Sequence, residues 1–206
     1  LDGVFTAGTD FSETVARVAS AAGLPGISIE ASINASNKSK MREAFRAHNI
    51  SSPLFVSVNT PFLEDCTELE DRGLQFPLVV KPVDNMGSRG IRRTDNCAEL
   101  RKAMVDAFKF SRSATVIIEE YLEGSEYSID ALIYKNEITI CGFADRHIFY
   151  PPYFIEMGHT IPSAIETESD LYKKIISTFK AAVRALGITE GAAKGDVRYS
   201  RGKIYI

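Results

Sequence analysis

One stretch decides the fold, FPLVVKPVDNMGSRG at residues 76–90. Its apolar residues predict a buried strand, and the pairing should end near Pro82 because proline cannot donate to a central ladder. Lys81 therefore emerges at a strand end, and the loop Gly87–Gly90 follows closely. A lysine on a rigid strand beside flexible glycines is well placed to bind an anionic phosphate. A strand end with a hairpin loop and no ligand explains the same residues, so this stretch alone leaves both interpretations open.

The composition is that of an ordinary soluble globular protein. With 206 residues, the chain suffices for one large domain or two small ones. The net charge of −3 gives no indication of nucleic-acid binding, and neither a membrane-length apolar run nor a signal peptide is visible. The cysteines Cys66, Cys97 and Cys141 lie far apart, so we expect reduced thiols without a zinc site or a disulfide. We therefore expect a cytoplasmic protein.

Both ends of the chain cross predicted secondary structure. Residues 2–7 are typical of a strand, and residues 203–206 alternate like a strand that no turn follows. We therefore expect a chain truncated at both ends. Residues 1–30 predict a strand, a helix and a short strand, which we interpret as the remnant of a preceding α/β domain.

The pattern changes to short strands from residue 76 onward. Asn96 and Glu99 resemble a capping box for a helix that ends near Phe110, and a long helix should occupy 170–186 before Gly187. A final hairpin should join 188–199 to 203–206. Few of the predicted strands are connected by helical crossovers, which indicates mainly antiparallel sheets and an α+β fold.

Acidic side chains follow the next strand, in the sequence IIEEYLEGSE at residues 117–126. Glu119 and Glu120 end an apolar run, and Glu126 lies seven positions after Glu119. A strand leaving a sheet can offer backbone groups to an adenine edge, while a carboxylate beyond it bonds ribose hydroxyls. Solvated carboxylates at a strand end explain any one of these residues equally well.

Three other groups of residues carry the same kind of ambiguity. Lys194, Asp196 and Arg198 share one strand face, which indicates either a surface ladder or a Mg²⁺ carboxylate with flanking cations. Lys38 opens a helix, where an anion site and a solvated lysine are both reasonable. Arg146 precedes an irregular stretch, 156–162, whose His159 fits a satisfied loop histidine better than a catalytic one.

Taken in order, these features resemble the ATP-grasp superfamily. The matching segments are Asn37-Lys38, residues 76–82, the loop 87–90, residues 118–128 and Lys194-Gly195-Asp196. The resemblance spans residues 30–206 and is greatest to carboxylate–amine ligases, the group of L-amino-acid ligases and carbamoyl-phosphate-synthetase-like enzymes. It implies two α+β subdomains whose mainly antiparallel sheets clasp a nucleotide. The implied ATP-grasp domain covers 31–206, with a small lid subdomain at about 76–120 and an incomplete C-terminal subdomain at about 121–206.

The resemblance also implies a role for each matching residue. Lys38 and Lys81 would contact the ATP phosphates, and Glu126 would bind the ribose. Asp196 would be a Mg²⁺ ligand, with Mn²⁺ as an alternative metal, and a Glu and an Asn beyond Ile206 would complete the metal site. The other implied assignments are the lid loop of Gly87, Ser88, Arg89 and Gly90, the adenine contacts of Glu119, Glu120, Tyr121 and Leu122, and the catalytic or substrate-anchoring cations Lys194, Arg146 and Arg198.

The implied function is that of an ATP-dependent ligase. It would activate an amino-acid-like carboxylate as an acyl phosphate and join it to an amine, forming a C–N bond. The implied partners are ATP and small-molecule carboxylates and amines, without nucleic acid or membrane, and a homodimer is compatible with the sequence. The alternative is a non-catalytic nucleotide-binding module of a larger protein, in which the Glu and Asn beyond Ile206 would be missing.

Overall fold

A computed structural model describes residues 1–6, 11–63 and 65–206. These residues divide into two compact units. The first unit comprises residues 1–52, 124–147 and 158–206, and the second comprises 53–123 and 148–157. The predicted domain boundaries, with a break at residue 30, stay a prediction.

In chain order the elements are α1 (Ser12–Ala21), α2 (Ile29–Ser36), α3 (Lys38–Ala47), β1 (Phe55–Val58), α4 (Thr67–Asp71), β2 (Leu78–Pro82), β3 (Arg92–Thr94), α5 (Cys97–Phe110), β4 (Val116–Glu120), β5 (Ser125–Tyr134), β6 (Glu137–Phe149), β7 (Ile155–Thr160), α6 (Asp170–Ala185), β8 (Gly191–Ser200) and β9 (Lys203–Tyr205).

The second unit is built on a four-stranded antiparallel sheet in the order β1-β4-β2-β3. Alternate residues of β2 and β4 form one hydrophobic cluster with the buried side of α5. The apolar run that begins at Phe76 is therefore a central strand, hydrogen bonded on both sides, and β2 ends at Pro82 as expected. The neighbouring residues Val79 and Ile117 are also buried, but on the other face of the sheet.

The first unit contains a five-stranded sheet in the order β7-β6-β5-β8-β9. The pairs β5–β6, β5–β8 and β8–β9 are antiparallel, which confirms the predicted sheet type and the final hairpin. The residues Tyr127, Ile129, Ala131 and Ile133 of strand β5 enter a core with α6. The residues between them face the opposite side of the sheet, because successive side chains of a strand alternate.

The helix boundaries follow local capping signals. The Asn96 side chain accepts a hydrogen bond from the Glu99 N–H at 3.0 Å, as the capping-box pattern predicts. The Glu99 carboxylate turns back to the N–H of Asp95, one residue earlier than the motif implies. Asn37 caps α3 by accepting from the Lys40 N–H at 3.1 Å. Both helix starts were therefore readable from the sequence.

Two strands expected near the beginning of the chain are wrong. Residues 1–6 have no strand, and Ala7, the last residue of that prediction, lies outside the described residues. The short strand expected by residue 30 gives way to α2, because the Ser28 side chain accepts from the Ala31 N–H and caps a helix there. Alternation alone does not form a strand, since a strand also needs a hydrogen-bonded neighbour.

The stretch 156–162, expected to be irregular, is largely a strand. Strand β6 continues to Phe149, and β7 follows at the edge of the same sheet. Arg146 lies within β6, directly opposite Glu126 of β5. None of the helices in the described ranges is both long and apolar enough to span a membrane.

The expectation of three reduced cysteines is wrong for two of them. Cys66 and Cys97 form a disulfide, with their Cα atoms 6.0 Å apart, while Cys141 is a free, exposed thiol. The two bonded residues are 31 positions apart in sequence, and each adjoins the start of a helix in the core of the second unit. Sequence spacing cannot reveal such a pair, because tertiary packing brings the cysteines together.

Asp84 connects the turn after β2 to the segment that follows α5 through hydrogen bonds. Its carboxylate accepts hydrogen bonds from the backbone N–H groups of Arg112, at 3.0 Å, and Ser113, at 2.7 Å, and from the Ser111 hydroxyl. Burial raises the pKa of the Asp84 carboxyl, but the hydrogen bonds outweigh burial and hold the pKa below its ordinary value. The ionised form is therefore the one that the fold stabilises.

We expect Asp84→Asn to destabilise the protein by about 1 kcal/mol at pH 7, because amide hydrogen bonds replace charge-assisted ones. The lowered pKa of Asp84 means that its contribution is complete above the unfolded pKa of about 3.9 and is lost as the pH falls through the folded pKa. Urea denaturation of both proteins between pH 3 and pH 7 measures this difference. Asp106→Asn, which changes an exposed carboxylate, is the control, and a difference that does not shrink in acid would contradict the assignment.

Gly195 is under a steric constraint in the first unit. A Cβ atom at this position would lie 2.5 Å from the Cε2 atom of Phe179, whose ring is buried in α6. We expect Gly195→Ala to lower stability by about 1–3 kcal/mol, because the packed ring must move. Gly158→Ala is the control, since its added Cβ would meet nothing within 4 Å. Thermal unfolding compares the two variants, and equal melting temperatures would disprove the constraint.

Candidate functional site

Lys81 and Glu119 form a buried ion pair in the second unit. In the β2–β4 register Glu119 faces Val79 and Lys81 faces Ile117, so all four side chains share one face of the sheet. The Lys81 ammonium binds the Glu119 carboxylate. Glu119 is 1% exposed and Lys81 is 22% exposed. The structure therefore brings together the cation and one carboxylate that the sequence singled out separately.

The residues after Glu119 are held firmly by neighbouring backbone. Glu120 donates its N–H to the Leu54 carbonyl at 3.0 Å, and its carboxylate accepts the Leu54 N–H at 2.9 Å. Tyr121 donates its N–H to the Pro77 carbonyl, and its ring stacks on Phe154 with centroids 5.8 Å apart. The Glu120 side chain thus binds the Leu54 backbone. Hydrogen bonds from Glu120 and Tyr121 also hold the backbone that leads to Leu122.

The Tyr121 ring also contacts a cation, Arg93, which the sequence did not indicate as a site residue. The guanidinium of Arg93 lies 4.5 Å from the centre of the Tyr121 ring, and it forms an ion pair with Asp95. A guanidinium above a ring face is attracted by the ring quadrupole. Arg93 therefore helps to fix the aromatic side chain at the end of β4.

The loop Gly87–Gly90 depends on backbone conformations that glycine favours. Gly87, Ser88 and Gly90 all have positive φ angles, of 66°, 56° and 73°. A Cβ atom on Gly90 would lie 2.9 Å from the Phe110 ring, whereas one on Gly87 would meet open space. The Ser88 hydroxyl donates to the Phe154 carbonyl at 3.2 Å, and the Arg89 Nε donates to the Met86 carbonyl at 3.1 Å. The exposed side chains at the tip of the loop are thus hydrogen bonded to backbone carbonyls of the second unit.

The first unit presents a row of alternating charges across three strands. Glu126 of β5 lies directly opposite Arg146 of β6 on one side and Arg198 of β8 on the other. Its carboxylate binds the Arg146 Nη1 at 3.1 Å and also binds the Arg198 guanidinium. These three side chains are mostly buried, so the two cations compensate a carboxylate that would be costly to bury alone.

Asp196 belongs to the same cluster but is the most exposed member. Its carboxylate lies 3.0 Å from the Arg146 Nη1, and its side chain is 53% exposed. Lys194, two residues earlier on the same face of β8, is exposed opposite Asp130. The His, Cys, Asp and Glu side chains of the described residues do not gather into a group of three or more suited to a metal. Asp196 therefore offers a single accessible carboxylate.

Ser128 is a residue of this face to which sequence reasoning gave no role. It lies directly opposite Asp196 in the β5–β8 register and is 3% exposed. Within the described part of the chain its hydroxyl has no hydrogen-bond partner. The available signal is the period of two along β5, which puts Glu126, Ser128 and Asp130 on one face.

Lys38 lies on a helix rather than on the strands of these clusters. It is the first residue of α3 in the first unit and is partly buried. The structure thus gathers Glu126, Arg146, Asp196 and Arg198 in one unit and Lys81, Glu119 and the glycine loop in the other. The roles assigned to these residues stay predictions.

We expect Lys81→Met to destabilise the protein by about 2–4 kcal/mol, because Glu119 would remain buried without this cation. The double variant Lys81→Met/Glu119→Met should recover most of that loss, since it removes both charges together. Urea denaturation at pH 7 measures the three proteins. A single variant as stable as the unmodified protein would show that the ion pair contributes nothing to the fold.

Residues 74–206 match the model of the ATP-grasp domain family. The chain is 29% identical over 197 residues to a D-alanine–D-alanine ligase of Geotalea uraniireducens, covering 89% of this chain and 59% of the relative. It is 27% identical over 225 residues to the alanine–anticapsin ligase of Bacillus subtilis, covering 98% of this chain and 46% of the relative. The chain thus spans about half the length of the curated relatives it matches.

Solved structures agree with the sequence matches. The crystal structure of the L-amino acid ligase from Bacillus licheniformis superimposes with a TM-score of 0.82 and 27% identity, covering 100% of this chain and 47% of that one. The observed α+β architecture with antiparallel sheets is the predicted one. The family model covers well over half of the chain, and the chain therefore belongs to the ATP-grasp family, in its carboxylate–amine ligase branch.

Proposed function

We propose that the protein containing this chain is an ATP-dependent ligase that joins an amino-acid-like carboxylate to an amine. One observation carries this proposal: similarity along nearly the whole chain to proteins named as ligases of D-alanine, of alanine with anticapsin, and of L-amino acids. The substrates proposed for this protein are ATP, a small carboxylate and a small amine.

The proposed reaction has two steps. A carboxylate oxygen of the first substrate attacks the γ-phosphorus of ATP, the bond to the β-phosphate oxygen breaks, and ADP leaves. The amine nitrogen of the second substrate then attacks the carbonyl carbon of the acyl phosphate, releasing inorganic phosphate and a proton. Negative charge spreads over the equatorial oxygens in the first step, so cations and N–H donors around the phosphates lower the barrier.

In the second unit, Lys81 and Glu119 would bind different parts of ATP. The ammonium of Lys81 suits a phosphate, and the carboxylate of Glu119 suits the adenine amino group as an acceptor. The backbone from Glu120 to Leu122 would offer the adenine edge its remaining hydrogen bonds. The loop Gly87–Gly90, with Ser88 and Arg89 at its tip, would cover the phosphates and exclude water from the acyl phosphate.

The other matching residues would have the roles that the family resemblance implies. Glu126, oriented by Arg146 and Arg198, would accept hydrogen bonds from the ribose hydroxyls, and Lys38 would contact the phosphates. The two arginines would also contribute positive potential toward the substrate carboxylate. Lys194, exposed on the same strand face as Asp196, would offset the charge that develops on the phosphoryl oxygens.

Asp196 would be the ligand for Mg²⁺. Magnesium is usually held by one or two protein carboxylates together with substrate phosphates, so a single exposed carboxylate fits its needs. The buried hydroxyl of Ser128, unpartnered within the described residues and directly opposite Asp196, is a further polar group that such a site can use. When bound, the metal would neutralise charge on the phosphate oxygens.

The test is inorganic phosphate release by the full-length protein with Mg-ATP and pairs of amino acids or small carboxylates. We expect release that requires both members of a pair, with mass spectrometry detecting the joined product. Lys38→Met should raise the KM for ATP about tenfold, the loss expected for one charge-assisted contact. Lys40→Met is the matched control, since Lys40 is an exposed lysine on the same helix.

The contradicting outcomes are specific. No phosphate release with any pair, together with measurable ATP binding, would favour a non-catalytic nucleotide-binding module. An unchanged KM for ATP in Lys38→Met would remove Lys38 from the proposed site while leaving the ligase proposal intact.

A further inference from the structure

The hydroxyl of Ser128 requires an explanation, because a buried polar group without a partner is costly. Its Oγ atom is inaccessible to solvent and has no hydrogen-bond partner among the residues that the structure describes. Strand β5 is hydrogen bonded on both sides, so the backbone of Ser128 is fixed and its side chain remains on the charged face of the sheet.

The nearest group in register is the carboxylate-bearing residue Asp196. Ser128 and Asp196 are directly opposite each other on antiparallel strands. Side chains of such a pair have Cβ atoms about 4.5–5.5 Å apart, which lets a serine hydroxyl reach an aspartate oxygen. The strand register therefore puts a serine hydroxyl and an aspartate carboxylate within reach of one hydrogen bond.

In this structure the Asp196 carboxylate points elsewhere. It binds the Arg146 Nη1 at 3.0 Å, and this ion pair connects β8 to β6 across the intervening strand β5. Arg146 also binds Glu126 at 3.1 Å, so it retains a carboxylate when Asp196 moves away. Because the Asp196 side chain is half exposed, its ion pair with Arg146 is expected to contribute little stability.

We propose that Ser128 is a positioning residue for Asp196. The Ser128 hydroxyl donates to one carboxylate oxygen of Asp196 once that side chain has left Arg146, which would leave the other oxygen available to Mg²⁺. Hydrogen bonds of this kind orient metal ligands and sustain metal affinity. This inference rests on the proposed role of Asp196 as a metal ligand.

The test compares metal binding with stability in the ligand-free protein. In Ser128→Ala we expect Mn²⁺ to bind about tenfold more weakly in the presence of a non-hydrolysable ATP analogue, as measured by electron paramagnetic resonance of free Mn²⁺. The melting temperature without ligands should stay the same or rise, since removing an unpartnered hydroxyl costs nothing. Ser128→Thr, which keeps the hydroxyl, should bind Mn²⁺ like the unmodified protein.

Two results would overturn the inference alone. Mn²⁺ binding by Ser128→Ala that equals that of the unmodified protein would exclude a positioning role. A melting temperature several degrees lower without ligands would show that the hydroxyl is already satisfied in the resting state. Failure of the unmodified protein to bind Mn²⁺ with the nucleotide analogue would instead reject the metal role of Asp196, and with it the proposed function of this cluster.

Discussion

The alternation of side chains along strand β5 is the constraint on which the first unit depends. Its odd-numbered residues from Tyr127 to Ile133 are buried against α6, so its even-numbered residues must face the other way. Hydrogen bonding on both sides then aligns Glu126 with Arg146 and Arg198. A slip of one residue would bury Glu126 in the apolar core, and the core therefore fixes the register of the charged face.

The charged clusters of both units follow the same electrostatic rule. Glu119 is almost completely buried and forms an ion pair with Lys81, while Glu126 forms ion pairs with two arginines. A buried carboxylate requires such compensation, because desolvation penalises an isolated charge. Each cluster joins adjacent strands of its own sheet, so these cations also connect the strands that carry them. Asp196 differs because it is half exposed.

Glycines have two distinct roles in the family motifs of this chain. Gly195 stands between Lys194 and Asp196 because the buried ring of Phe179 leaves no space for a Cβ atom. Gly90 is required both by its positive φ and by its approach to Phe110, whereas Gly87 is required by its backbone conformation alone. A glycine in a binding motif can therefore serve packing first, and its effect on a ligand then follows from the position of the backbone.

The sequence by itself determined the antiparallel α+β class, the helix start at Lys38, the cap at Asn96 and the shared face of Lys194, Asp196 and Arg198. These features depend on local periodicity and hydrogen bonding. The roles given to those side chains came from the order of motifs and stay predictions. Only the tertiary structure decided that Arg146 lies in a strand opposite Glu126, that Cys66 bonds Cys97 and that Ser128 faces Asp196. Those contacts join residues distant in sequence, and their geometry is set by strand register and core packing.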